Sequence, residues 1–107
     1  MKLASVNLDA EAVTAIYTCP PGQRAIVTLN LCNRASASVR TRVALTNGAA
    51  PTEADWIEYD TPLPPAGSTG GSTMQITGLA LAAGQSIYAR ADAAGLSAVV
   101  HGVQEAI

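Results

Sequence analysis

The sequence predicts an all-β fold: a single antiparallel β-sandwich, jelly-roll-like, of about seven or eight short strands. Three observations predict it. Apolar and polar residues alternate with period two in segment after segment, Gly and Pro punctuate the intervals between them, and no stretch shows the 3.6-residue periodicity of an amphipathic helix. A small barrel is the alternative closure of the same strands. At 107 residues the chain is long enough for one core and one domain, residues 1–107.

The elements follow in order. Residues 3–8 can add an edge strand. AVTAIYT, residues 12–18, carries β-branched and aromatic residues and is stopped by Pro20-Pro21-Gly22, which cannot continue a ladder and favours a turn. In RAIVTLNLCN, Val27, Leu29 and Leu31 point one way and Thr28 and Asn30 the other. SVRTRVAL repeats the pattern, with Val39, Thr41, Val43 and Leu45 on one face and Ser38, Arg40 and Arg42 on the opposite one. PTEADW suits one helical turn, with Pro51 in its first turn, and WIEYD is a short strand. PLPPAGSTGGST, residues 62–73, passes from proline stiffness to Gly/Ser flexibility and is expected to be an exposed loop. MQITGLAL, QSIYARA and LSAVVHGV complete the set, separated by Ala83-Gly84 and Asp92-Ala93-Ala94-Gly95.

Composition narrows the function classes. Charged residues are 13% of the chain and the net charge is −2, so no basic footprint for nucleic acid or for a membrane surface is present. A hydrophobic fraction of 49% is too high for a disordered chain, and no apolar run approaches the ~20 residues of a membrane-spanning helix. MKLASVNLDAEAV lacks the apolar stretch of a secretory signal, so synthesis in a cytoplasm is expected. Phe is absent and alanine dominates the apolar share. An alanine buries little area, and this predicts a thin core whose stability neighbouring subunits supplement.

Cys19 and Cys32 raise the question of a bridge or a metal site. With a turn at Pro20–Gln23, Cys32 lies about 26 Å along the following strand from the end near Cys19. A disulfide needs Cα atoms within ~7 Å. Two free, structural thiols are expected, with a bridge between subunits as the alternative. No CxxC spacing is present and the lone His101, in phase with Val99 and Val103, has no coded nucleophile beside it, so neither a metal centre nor a catalytic site is assigned. GSTGGST has the composition of a phosphate loop without its Lys-Ser/Thr. No cofactor follows from it.

Two groups of residues fit an interaction surface. EADWIEYD gathers Glu53, Asp55, Glu58 and Asp60 around Trp56 and Tyr59, a pattern open to metal, sugar or protein contact. Five of the six basic residues are arginine, including Arg34 and Arg90, and Arg40 and Arg42 project from one strand face. Arginine and aromatic side chains are favoured where proteins meet, and Arg40, Arg42, Trp56 and Tyr59 are the candidate interface residues.

The ordered segments YTCPPGQRAIVTLNLCNRASASVRTRVAL, ADWIEYDTPLPPAG and GLALAAGQSIYARADAAGLSAVVHGV resemble small β-sandwich virion proteins of tailed bacteriophages. The resemblance spans residues 12–103 and rests on segment order and turn chemistry. It implies a structural role as head decoration or cement protein, or else as a neck, tail or baseplate component. The implied partners are other virion proteins, such as the major capsid protein, and further copies of this chain in a homo-oligomer. The implied location is the virion. A carbohydrate-binding host-attachment module is the alternative from a different class, with Trp56 or Tyr59 as its stacking platform.

Overall fold

The computed structural model describes residues 1–107. Eight strands form: β1 (Lys2–Leu8), β2 (Thr14–Thr18), β3 (Gln23–Asn33), β4 (Val39–Thr46), β5 (Trp56–Leu63), β6 (Thr73–Leu81), β7 (Ser86–Ala91) and β8 (Leu96–Ala106). They build two four-stranded sheets, one in the order β1-β8-β3-β6 and the other β2-β7-β4-β5, with every pairing antiparallel. This order is that of a jelly roll, and the two separate sheets rule out the barrel closure.

Consecutive strands pair only once, at β4 and β5. The Pro20-Pro21-Gly22 turn is closed by the Gln23 amide donating to the Pro20 carbonyl at 3.3 Å, and Gly22 takes φ +72°. It carries the chain from one sheet to the other, so β2 and β3 lie in opposite sheets and do not form a hairpin. Both cysteines are free: Cys19 is buried beside the turn and Cys32 is half-buried near the end of β3.

Alternation along each strand delivers the core. Val27, Leu29 and Leu31 of β3 meet Val39 and Val43 of β4, Ile87 of β7 and Leu96, Ala98 and Val100 of β8 in one cluster of 19 buried residues. Seven of these are leucine and four are alanine. The thin, alanine-dominated core expected from composition is therefore not what forms. Most alanines lie in turns and on outer faces, while the inward phase of each strand selects the larger side chains.

Two local expectations change. Residues 62 and 63 belong to β5, and Leu63 is a core residue, so the exposed loop is shorter than residues 62–73. Buried Asn33 ties that loop down: its Nδ2 donates to the carbonyls of Ala37, Leu63 and Pro64, each at 3.0 Å, and its Oδ1 accepts from the Ala35 amide. The helical turn forms as a 3-10 turn at Glu53–Asp55 with Thr52 as its cap. Pro51 thus precedes the cap and does not occupy the first turn, and the Asp55 carboxylate accepts from the Thr52 amide at 2.8 Å.

Candidate functional site

The candidate interface residues lie on or beside the outer face of the β2-β7-β4-β5 sheet. On β4, Val39, Thr41 and Val43 turn into the core, so Arg40 and Arg42 face outward by the two-residue period. Arg42 stands opposite Arg90 of β7, which puts a third arginine on the same face. Residue 44 lies opposite Tyr88, whose hydroxyl donates to the Gly48 carbonyl at 3.1 Å. That bond holds the β4–β5 connection against this face, and Ala44, Thr46 and Ser86 are buried.

On β5 a bulge does the positioning. Thr41 pairs with Thr61 but Val43 pairs with Glu58, so β5 uses one extra residue here, and Asp60 adopts φ +54°. The Asp60 carboxylate accepts two hydrogen bonds from Arg42, from Nε at 2.7 Å and from Nη2 at 3.1 Å. The guanidinium carbon of Arg42 also sits 4.0 Å from the centre of the Tyr59 ring. Tyr59 in turn meets Trp56 edge to face, with centroids 6.0 Å apart. Arg42, Tyr59, Asp60 and Trp56 form one connected cluster.

The electrostatics follow from that contact. Hydrogen bonds from Arg42 are the main cause holding the Asp60 carboxyl below the usual aspartate range, and the charges of Arg42, Arg90 and Arg40 act in the same direction against some desolvation. Arg42 is pushed further up, chiefly by its hydrogen bond to Asp60. The pair is partly solvent-exposed, so water screens it and its main effect is to orient the guanidinium. Arg40 and Arg90 make no ion pair. In a chain of net charge −2 this face therefore gathers three of the five arginines, of which only Arg42 is ion-paired.

Three of the four candidate interface residues, Arg42, Trp56 and Tyr59, meet directly. Arg40 points from the same strand face farther along, where its backbone amide donates to Asp92 Oδ1 at 2.8 Å. Sequence reasoning singled out neither Asp60 as the partner of Arg42 nor Arg90 as its cross-strand neighbour on β7. Alternation in QSIYARA could have placed Arg90 outward; the bulge that brings Asp60 into reach has no glycine to signal it.

The other candidates are scattered. Asp55 serves the 3-10 turn, Glu58 lies opposite Val43, and Asp60 pairs with Arg42, so the four carboxylates of EADWIEYD do not converge. No group of three or more His, Cys, Asp or Glu side chains is placed to hold a metal ion. His101 lies on the outer face of the other sheet, opposite Thr28 of β3 and Lys2 of β1. Arg34, at the end of β3, donates to Asn7 Oδ1 far from the cluster. No helix is long and apolar enough to cross a membrane.

Fold and site together define an antiparallel jelly-roll sandwich that presents an arginine and aromatic cluster on one outer face. Comparison with protein-family models, with curated proteins and with solved structures returns no match.

Proposed function

We propose that this chain is a non-enzymatic structural subunit of a bacteriophage virion, a capsid decoration or cement protein that stabilises the particle through contacts between subunits. One observation carries the reading furthest: Arg42, oriented by Asp60 and stacked on exposed Tyr59 beside Trp56, forms a preorganised contact point. Arg40 and Arg90 flank it and form no ion pair of their own, and the face suits an acidic surface on a neighbouring virion protein. Jelly rolls recur among viral capsid domains, which is an analogy of fold. The resemblance in segment order points the same way. In a symmetric shell many modest contacts of this kind add up.

Mass spectrometry and imaging of native particles test the reading. Copies on the order of hundreds fit decoration, and a small multiple of three or six fits a neck or tail position. Absence from the particle overturns the virion reading. The carbohydrate-binding alternative is less favoured because one ring face of Tyr59 is already taken by Arg42 and Trp56 meets its ring at 74°. Loss of glycan binding in Trp56→Ala with assembly intact would reverse that preference.

A further inference from the structure

Two strands end each sheet: β1 and β6 in one, β2 and β5 in the other. An edge strand exposes a row of backbone N–H and C=O groups that can pair with another chain, and proteins guard such edges with charges, prolines, bulges or short length. Three of these edges carry at least two such guards. β1 carries Lys2 and a register break between Lys2 and Ala4, and it runs close to β2. β2 has five residues and a break between Ala15 and Tyr17. β5 carries Glu58, Asp60 and Pro62 and two register breaks.

β6 is different. It runs nine residues, TMQITGLAL, with no charge and no proline, and its single guard is a bulge opposite the Val27-to-Leu29 step, where Gly78 takes φ +71°. A second feature ends at the same edge. Val103 of β8, Ile26 of β3 and Ala80 of β6 lie in register across three strands on the solvent side of the sheet. Ile26 is 62% exposed and Val103 57%, and with Ala82 and Gln85 they line an open groove of about 750 Å³. The Arg24 to Glu105 ion pair, at 2.9 Å, rims it. This apolar row runs straight to the least guarded strand.

We propose that β6 pairs antiparallel with β6 of a second copy about a two-fold axis normal to the sheet. The pairing yields one eight-stranded sheet with both apolar rows on a single face. Charge selects a second copy as the occupant. Pairing about a two-fold sets a strand against itself, so every like-charge contact is paid twice; β6 has no charged residue, whereas β5 would bring Glu58 and Asp60 against their own copies. The inference names one of the self-contacts that an assembly role calls for, yet it stands on the edge chemistry alone.

Sedimentation velocity of the isolated chain over about 10 to 200 µM tests it. The expected result is a monomer–dimer equilibrium that shifts to monomer by about tenfold or more in Gln75→Lys and in Ala80→Lys. Both positions are exposed, so the circular dichroism spectrum should be unchanged, and either variant serves if the other misfolds. A chain that stays monomeric throughout overturns the proposal and leaves the edge to a different protein. A dimer that survives both substitutions overturns it too, since the contact then lies elsewhere. A chain that dimerises through β6 but is missing from native particles overturns the virion reading and leaves this inference standing.

Discussion

Asn33 shows how much one buried amide can decide. It is fully buried, and its side chain satisfies three carbonyls and one amide from the two loops that close one end of the sandwich. Asn33→Ala strands those groups and should cost about 2–3 kcal/mol, a drop of roughly 10–20 °C in Tm by thermal denaturation. Gly102 makes a different demand. Its φ is +153°, and a Cβ there would lie 2.3 Å from the Ile26 carbonyl oxygen and 2.8 Å from the Val27 Cα, both backbone atoms of β3. Gly102→Ala should therefore lose about 3 kcal/mol or more in urea denaturation, or fail to fold. The thiols separate by exposure: Cys32 should react with a thiol reagent in the native chain, and Cys19, with no exposed surface, only on unfolding. Any disulfide to a neighbouring subunit then runs through Cys32, and non-reducing electrophoresis of assembled material with Cys32→Ser checks it. Asp60 gives a pH dependence of definite sign. Its folded pKa is lowered, so its contribution is present above the unfolded value and is lost as pH falls through the folded one. Stability should decline from about pH 4 downward, and Asp60→Asn should show a shallower acid slope.

At the level of elements, every strand was legible. The period-two segments at 12–18, 24–33, 38–45, 56–60, 74–81, 85–91 and 96–103 all became strands with shifted ends, and residues 3–8 became β1. Alternation is a local property, and burial of one face enforces it wherever the sheet lies. What alternation could not carry is irregularity. The bulge at Tyr59 and Asp60 is a feature of how β5 pairs with β4, and it creates the contact of Arg42 with both residues. For the candidate interface this predicts a separation of effects. In the proposed capsid role, Tyr59→Ala should weaken docking to isolated shells by about 10- to 30-fold, measured by cosedimentation, with little change in Tm, and Arg42→Glu should weaken it as much while lowering Tm, because it sets a second carboxylate beside Asp60. Asp60→Asn should weaken it less, because it removes an orienting partner and leaves the guanidinium.

For the whole molecule, dimensions of 43 × 28 × 18 Å describe a flat slab with two broad outer faces. The faces differ in chemistry. One carries arginines and aromatics, and the other an apolar row of Ile26 and Val103 with His101 nearby on β8. The composition-based case for stabilising neighbours weakens, since the core holds seven leucines. An isolated chain that melts cooperatively at an ordinary temperature is the expected outcome, and a case for partners then rests on these faces and on the β6 edge. By itself the sequence determined the class, the strand positions, the inward residues and the separation of the two cysteines, because these depend on local periodicity and chain length. Only the tertiary structure decided which strands pair, that the Pro-Pro-Gly turn crosses between sheets, and that Asp60 reaches Arg42. Jelly-roll neighbours are far apart in sequence, and a two-residue period reads the same whichever strand lies alongside.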